Sequence, residues 1–443
     1  MEKKKTIDLD TKYSLPIDYT IVNYSNKYLI IAPECLNYIV LYTREQCEIY
    51  KLLYKHTIRE VLEDFNYNKT DVSVVITQIE AKTFKEEKIE KLNNSFQMHL
   101  FLTNKCNLRC RHCYMFSGES YEHELTLVEI ENLLSKFKSA GGRNLILSGG
   151  EVTTRNDFLD IVKYANNIDL KVSIMTNGVL WNDEMIIEAS KYLNSVQVSI
   201  DGYNEEEYEY VRGKNNFKKA MNTIDKFLKS NIPTTVAITP WPGRNLSDKI
   251  SDYMSFEKSL KDRYKDYSIM VKFTADIMDG RELNLSDLEI RKYKKTMTLI
   301  ADGGDVNKRR NILLHNFKQR IIKDNWCTYG SLTVSANGDI YFCGKLQGLK
   351  SFGNLREVAL DEIMLASKRA REISKIQYIY PCNKCDLRYV CGGDCRIKFI
   401  EEYKDCKNIS NQTDDSLFYR KCSQDIKNEY YQMMLEINHL LYK

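Results

Sequence analysis

The chain lacks several features that would assign it to common classes of protein. None of its apolar runs approaches the roughly 20 residues that a helix needs to cross a bilayer, and the N-terminus has no signal-peptide apolar core. The formal net charge of +4 over 443 residues is too small to indicate a nucleic-acid-binding surface. These absences predict a cytoplasmic protein that has neither a membrane nor a nucleic acid as its partner.

The composition is that of a globular protein, but cysteine is frequent and unevenly placed. Hydrophobic residues make up 43% and charged residues 28%, and the length predicts two or three domains. Without a secretory signal, 13 cysteines indicate a reducing compartment and metal ligands rather than disulfides. Three lie at 106–113 and eight between 327 and 422, whereas Cys35 and Cys47 stand apart and are predicted to be small buried hydrophobes.

The first cysteine group follows an apolar run at 98–102, which predicts a buried strand that ends in a cysteine loop. The loop has the spacing CxxxCxxC, formed by Cys106, Cys110 and Cys113, and Tyr114 follows it. Three thiolates can bind three irons of a [4Fe–4S] cube and leave the fourth iron open to a substrate or cofactor. A structural zinc loop is the alternative, although zinc sites usually contain CxxC pairs.

This cysteine loop resembles the signature of the radical S-adenosylmethionine (SAM) superfamily. The resemblance implies that SAM chelates the open iron and that the reduced cluster cleaves SAM to a 5′-deoxyadenosyl radical. It also implies that Tyr114 packs on the cluster or on the adenine.

Strands and helices alternate from residue 97. Further strands are predicted at 144–148, 171–176, 195–200, 234–239 and 268–273, and helices begin at the capping boxes Thr126/Glu129 and Ser286/Glu289. Six βα units predict parallel strands, and six are too few to close an eight-stranded barrel. The predicted fold is therefore an α/β partial (β/α)6 barrel, the fold of the radical SAM superfamily.

Unusual residues occur where these strands end, and in α/β barrels such loops converge on the active site. The resemblance implies that several of them bind SAM. Gly149, Gly150 and Glu151 would accept hydrogen bonds from the methionine ammonium, Ser199 or Asp201 would bind the ribose, Arg212 would bind the methionine carboxylate, and Asn177 would lie beside them. For Asn177 an ordinary turn is the alternative, and for Arg212 a solvated arginine.

The first 90 residues predict three short strands followed by three helices, a winged-helix-like module. This order resembles the precursor-peptide recognition element of ribosomal peptide maturation systems. The resemblance implies that a leader peptide adds as a strand beside the third strand and rests against the third helix. A generic N-terminal domain is the alternative.

The second cysteine group begins with an Asn-Gly hairpin that folds Cys343 back toward Cys327. The whole series resembles the SPASM domain, which implies two auxiliary [4Fe–4S] clusters. By position, Cys327, Cys343 and Cys395 would bind the first, and Cys382, Cys385, Cys391 and Cys422 the second. Cys406 is an extra cysteine, and either it completes the first cluster or that cluster has an open iron. Two zinc ribbons are the alternative.

Together these features predict a metal-binding oxidoreductase with a recognition domain at 1–88, a radical SAM barrel at 95–305 and a SPASM domain at 320–430. Its cofactors would be SAM and three [4Fe–4S] clusters. The leading interpretation is a maturase that forms a thioether, a carbon–carbon crosslink or an epimer in a precursor peptide. Its partners would be that peptide, held by its leader, and a reductant such as flavodoxin or ferredoxin.

Two other functions are compatible with parts of the pattern. One is an anaerobic sulfatase-maturing type enzyme, in which an aspartate follows the second SPASM cysteine, whereas here Gly344 follows Cys343. The other is a non-catalytic metal-bound adaptor, which the open-iron spacing at 106–113 disfavours. The sequence does not identify the peptide, the bond that is formed or a catalytic acid or base.

Overall fold

The computed structural model describes residues 7–86, 96–275, 277–303, 327–345, 350–393, 395–397, 418–419 and 422–441. Among these residues, no helix is both long enough and apolar enough to cross a membrane.

The N-terminal region is an antiparallel sheet with three helices on one face. The strands are β1 (Thr20–Tyr24), β2 (Lys27–Ala32) and β3 (Asn37–Leu41), and the helices are α1 (Arg44–Leu53), α2 (Ile58–Glu63) and α3 (Lys69–Lys82). Thr43 caps α1, and a capping box of Thr57 and Glu60 begins α2. Ile39 and Leu41 pack under the helices. The predicted order of three strands and three helices is confirmed.

The middle of the chain is an open sheet of six parallel strands, as predicted. The strands, in sheet order, are β4 (Gln97–Phe101), β5 (Asn144–Ser148), β6 (Lys171–Thr176), β7 (Ser195–Ser199), β8 (Thr234–Ile238) and β9 (Ile269–Phe273). The helices are α4 (Leu127–Ser139), α5 (Phe158–Asn167), α6 (Asp183–Ala189), α7 (Glu205–Arg212), α8 (Phe217–Lys229), α9 (Ile250–Arg263) and α10 (Asp287–Asp302). Both predicted capping boxes, at Thr126 and at Ser286, are present.

The two faces of this sheet differ in polarity. On β7, Val196 and Val198 are buried in the core that the helices cover, whereas Ser195, Gln197 and Ser199 are half-buried on the other face. Side chains alternate between the faces of a strand, so one face is apolar and the opposite, interior face is polar. The interior face is therefore able to receive a polar ligand.

A hairpin from the C-terminal region extends the same sheet. Its strands are β10 (Leu332–Val334) and β11 (Asp339–Tyr341), and β12 (Gly353–Asn354) pairs with β11. The predicted turn is present, with Gly338 at φ 90°. Strand β10 pairs in parallel with β4, which makes a nine-stranded sheet. The sequence analysis predicted the hairpin but not this pairing, because it joins segments more than 200 residues apart.

The structure describes five further helices and strands in the C-terminal region, and two of them contact the N-terminal sheet. They are α11 (Leu360–Ile373), β13 (Ile379–Tyr380), α12 (Arg388–Cys391), β14 (Phe418–Tyr419) and α13 (Gln424–Leu441). The face of the N-terminal sheet that α1–α3 leave uncovered packs against α12 and α13, with Tyr38 donating a hydrogen bond to the Met434 carbonyl at 2.8 Å. Arg388 also forms ion pairs with Asp18 and Glu34.

Candidate active site

The loop after β4 brings the first three cysteines together. Burial raises the pKa of Cys106 and of Cys110, and both thiols lie within electrostatic range of Cys113. Arg281, in the segment after β9, stabilises this loop. It donates hydrogen bonds to the carbonyls of Cys110 (3.3 Å) and Ser117 (2.7 Å). The three predicted ligands therefore share one braced loop at the carboxyl end of the sheet.

The glycines after β5 let their loop pack directly on the cysteine loop. Gly150 N–H donates to the Thr103 carbonyl at 2.7 Å, and a Cβ on Gly149 would lie 2.4 Å from that same oxygen. A Cβ on Gly150 would lie 2.2 Å from the Lys105 carbonyl oxygen, so neither position accommodates a side chain. No donor among the described residues reaches the carbonyls of Gly149 and Gly150, which leaves both oxygens available as acceptors.

The Glu151 carboxylate is buried and hydrogen-bonded to neighbouring protein groups. It is 1% exposed and accepts hydrogen bonds from Thr176 Oγ1 (2.6 Å), from Asn177 N–H (2.7 Å) and from Thr153 Oγ1 (2.8 Å). Burial raises its pKa, and these hydrogen bonds oppose that rise. The carboxylate therefore braces the end of β5 against the end of β6, a role that the sequence analysis did not assign to it.

Asn177 joins the end of β6 to the cysteine loop. Its Nδ2 donates to Asn107 Oδ1 at 2.8 Å and lies 3.9 Å from Cys106 Sγ. Its Oδ1 also accepts from Val179 N–H at 3.0 Å, which is the turn geometry expected of asparagine. The residue thus forms a local turn and also contacts the site.

Asp201, after β7, is the electrostatic centre of the site. Its Oδ2 contacts His112 Nε2 at 2.6 Å and Arg212 Nε at 2.5 Å, and its Oδ1 accepts from Thr239 N–H at 2.9 Å. Burial would raise the pKa of Asp201, but Arg212 and His112 lower it to about 2. Arg212 is therefore not a solvated arginine, and its Nη1 lies 3.9 Å from Cys110 Sγ.

His112 was not singled out from the sequence, and its position between two predicted ligands was the only signal available. Ser199 lies at the end of β7, half-buried, and its side chain has no hydrogen-bond partner among the described residues.

The C-terminal cysteines separate into two groups. Cys382, Cys385, Cys391 and Cys422 line one cavity of ≈ 330 Å³. Cys343 is buried within electrostatic range of Cys327 and Cys395. These are the two sets that the SPASM resemblance implied, whereas Cys406 lies outside the described residues.

Zinc, the alternative to an iron–sulfur cluster, requires a different arrangement of ligands. Across the parts of the chain with described positions, no three cysteine, histidine or acidic side chains converge on a point that one ion could occupy. A zinc site needs four ligands at about 2.0–2.3 Å from one ion, whereas a [4Fe–4S] cube takes one cysteine on each iron.

Arg396 is a buried cation among these cysteines. It is 0% exposed, and it donates hydrogen bonds to the carbonyls of Ser374 and Gly392, both at 2.8 Å. Four thiols act on it electrostatically, from Cys327, Cys382, Cys391 and Cys395. The sequence analysis missed this residue, because nothing in the sequence distinguishes it from a surface arginine.

Tyr114 lies between the first cysteine loop and the hairpin. Its hydroxyl is 3.4 Å from the Gly344 carbonyl, and its ring lies within electrostatic range of Cys113 and Cys343. Burial raises the pKa of this phenol. Tyr114 therefore connects the two cysteine-bearing regions.

Comparison with known proteins gives two family matches. Residues 100–253 match the Radical SAM superfamily, and residues 326–386 match SPASM, an iron–sulfur cluster-binding domain. The chain is 35% identical over 307 residues to the mycofactocin maturase MftC of Mycolicibacterium smegmatis, covering 66% of this chain and 76% of MftC. It is 37% identical over 155 residues to the sporulation killing factor maturation protein SkfB of Bacillus subtilis, covering 34% of this chain and 37% of SkfB.

Solved structures share the fold at low sequence identity. One is anSMEcpe with bound AdoMet, at TM-score 0.54 and 18% identity, covering 79% of this chain and 93% of the other. Another is Streptococcus suis SuiB bound to the precursor peptide SuiA, at TM-score 0.51 and 16% identity, covering 88% of this chain and 96% of the other.

Proposed function

This chain belongs to the radical SAM superfamily and is an enzyme with a SPASM domain, and we propose that it matures a ribosomally made precursor peptide. Two relatives that carry maturation in their names, MftC and SkfB, support this proposal. The modification would be a thioether, a carbon–carbon crosslink or an epimer.

Cys106, Cys110 and Cys113 would hold the cluster that binds SAM. When bound, this cluster and SAM supply a 5′-deoxyadenosyl radical that removes a hydrogen atom from the substrate. Two observations support this assignment. The three thiols lie in one loop, and Arg212 Nη1 is 3.9 Å from Cys110 Sγ. Arg212 opposes the effect of burial on the pKa of Cys110 and so favours the thiolate, which is the form that binds iron.

The chain's own residues would orient SAM as follows. The free carbonyls of Gly149 and Gly150 would accept hydrogen bonds from the methionine ammonium, and Arg212 would bind the methionine carboxylate. Ser199, whose hydroxyl is uncommitted, suits the ribose, while Asp201 holds Arg212 and His112 in place. Glu151 and Asn177 would hold the loops after β4, β5 and β6 in their relative positions. Tyr114 would pack beside the cluster.

The C-terminal cysteines would hold two auxiliary clusters, giving three in all. Cys382, Cys385, Cys391 and Cys422 suit one cluster because they line one cavity. Cys327, Cys343 and Cys395 suit the other, and its fourth ligand is either Cys406 or a substrate thiolate. A reductant such as flavodoxin or ferredoxin would supply electrons.

The N-terminal sheet would hold the leader of the peptide beside β3 and α3. Strand addition uses the outward N–H and C=O groups of an edge strand. Here three outward N–H groups already donate to side-chain amide oxygens. The pairs are Tyr38 with Asn37 (2.9 Å), Val40 with Gln78 (3.3 Å) and Tyr42 with Gln46 (2.8 Å). A leader strand would therefore have to displace these side chains.

Two other functions are less well supported. In the sulfatase-maturing type an aspartate follows the second SPASM cysteine, and Gly344 cannot supply its carboxylate. An adaptor would have no use for acceptor carbonyls, an arginine and an uncommitted serine beside an open-iron loop.

The observation that carries the proposal is the convergence of the cysteine loop, the Gly149–Gly150 carbonyls and the Asp201–Arg212 pair at one edge of the sheet. The test is anaerobic reconstitution, followed by iron and sulfide analysis and incubation with SAM, reductant and candidate precursor peptides. Three clusters predict about twelve irons per chain. The expected result is 5′-deoxyadenosine together with a peptide of altered mass.

The triple change of Cys106, Cys110 and Cys113 to alanine is the matched variant. It should remove about a third of the iron and abolish 5′-deoxyadenosine formation. A fully loaded protein that cleaves SAM but alters no peptide would contradict the maturase proposal.

A further inference from the structure

His99 is a half-buried polar residue on the interior face of β4. Its Nε2 is 2.8 Å from Ser148 Oγ, at the end of the neighbouring strand β5. Its ring stacks on Phe101 with the ring centres 4.4 Å apart. Two contacts therefore fix the orientation of the imidazole.

The other ring nitrogen is directed at the start of the loop that follows the C-terminal hairpin. If residue 344 had a Cβ, that atom would lie 3.0 Å from His99 Nδ1. Because residue 344 is glycine, no side chain occupies the space beside this nitrogen. Among the described residues, no hydrogen-bond partner reaches Nδ1. Burial lowers the pKa of His99 to about 4, so the imidazole is neutral near pH 7.

The neighbouring strand adds a second uncommitted polar group. Thr333 pairs with His99 in the parallel register of β10 and β4, and its Oγ1 is buried without a partner among the described residues. Buried polar atoms without partners are uncommon in folded proteins and often mark a ligand site. His99 Nδ1 and Thr333 Oγ1 thus lie on adjacent strands, and neither has a partner among the described residues.

We propose that His99 is a substrate-contacting residue, whose Nδ1 hydrogen-bonds the backbone of the peptide segment that is modified. This inference rests on the proposed maturase function. An extended peptide offers both N–H and C=O groups, so it can satisfy Nδ1 as donor or as acceptor, whichever tautomer Ser148 selects. The absence of a side chain at Gly344 gives the peptide room to approach.

Three variants test this role. His99→Gln keeps an amide near the position of Nε2 and the Ser148 contact, but it has no group at the position of Nδ1. His99→Asn places its amide near Nδ1. Gly344→Ala retains the histidine but puts a methyl group in front of Nδ1.

The measurement is the amount of modified peptide formed per 5′-deoxyadenosine, together with the KM for the peptide. His99→Gln and Gly344→Ala should lower the yield per 5′-deoxyadenosine roughly three- to tenfold, as expected for one lost hydrogen bond, and His99→Asn should recover most of it. The matched control is His123→Gln, since His123 is 80% exposed.

Equal yields from His99→Gln and the wild type would overturn the inference. An equal loss in His99→Asn and His99→Gln would also overturn it, because it would indicate a purely structural role. If His99→Gln does not fold, the Gly344→Ala and His99→Asn arms decide alone. A wild-type enzyme that modifies no peptide would contradict the proposed function itself, which makes the two failures distinguishable.

Discussion

Arg212 Nε donates a hydrogen bond to Asp201 Oδ2 at 2.5 Å, and the Asp201 side chain is 1% exposed. Asp201 follows β7 and Arg212 ends α7, so the pair fixes the end of that helix over the end of that strand. His112, from the cysteine loop, shares the same carboxylate oxygen at 2.6 Å. One buried carboxylate therefore joins three segments of the proposed SAM site.

Replacing Asp201 with asparagine should destabilise the protein and weaken SAM binding. The change leaves Arg212 as a buried charge without its counter-ion, a loss that typically costs about 3–5 kcal/mol. Chemical denaturation and equilibrium binding of SAM to the reconstituted enzyme measure the two effects. Asp266→Asn, at an exposed position, is the control. Wild-type stability in the Asp201 variant would contradict the central role of this carboxylate.

The same carboxylate predicts a pH dependence of stability. The pKa of Asp201 is about 2 in the folded protein, below its ordinary value of 3.8. The ionised Asp201 therefore contributes about 2 kcal/mol to the free energy of unfolding. This contribution is fully present above pH 3.8 and is lost as the pH falls toward 2. Unfolding free energies measured across this range should fall more steeply for the wild type than for Asp201→Asn. Parallel curves for the two proteins would show that ionisation of Asp201 does not contribute to the pH dependence of stability.

Replacing Glu151 with glutamine should lower the stability of the protein more than its affinity for SAM. The new amide cannot accept all three hydrogen bonds from Thr176, Asn177 and Thr153, and one buried donor loses its partner. A loss of roughly 1–3 kcal/mol is expected for that donor. Thermal unfolding of the protein without SAM measures it, with Glu122→Gln as control because that side chain is 90% exposed. A variant with wild-type unfolding and weakened SAM binding would assign Glu151 to the ligand instead.

Replacing Arg396 with glutamine should lower the reduction potentials of the two proposed auxiliary clusters. A buried cation among their ligands favours the reduced, more negative state, so its removal makes reduction harder. Arg396→Lys keeps the charge and should shift the potentials less. Redox titration followed by electron paramagnetic resonance measures each cluster, and Arg369→Gln at an exposed position is the control. Unchanged potentials in Arg396→Gln would limit Arg396 to packing.

Replacing Gln78 with alanine should tighten leader binding while it weakens the fold. Gln78 Oε1 accepts the outward Val40 N–H at 3.3 Å, and an incoming strand would have to displace it. Removing a competing hydrogen bond of about 1 kcal/mol predicts roughly fivefold tighter binding. Fluorescence anisotropy with a labelled leader peptide measures this, and Gln432→Ala on the exposed side of α13 is the control. Unchanged affinity would indicate that the leader does not add beside β3.

The order of strands and helices could be read from the sequence because its signals are local. The capping boxes at Thr126 and Ser286 are present as predicted, and so are the six parallel strands and the Asn-Gly hairpin. Each depends on residues within about one turn or one strand. The cysteine spacings are local in the same sense, and they carried the family resemblance.

The sequence by itself determined the elements, the cysteine groups and the family; only the tertiary structure decided which residues meet. The pairing of β10 with β4, the contact of His112 with Asp201, the burial of Arg396 and the approach of Gly344 to His99 all join distant segments. Glu151 likewise proved to be a brace because Thr176 and Asn177 come from the next strand. Such contacts depend on how packed elements bring side chains together, and local sequence patterns do not encode those distances.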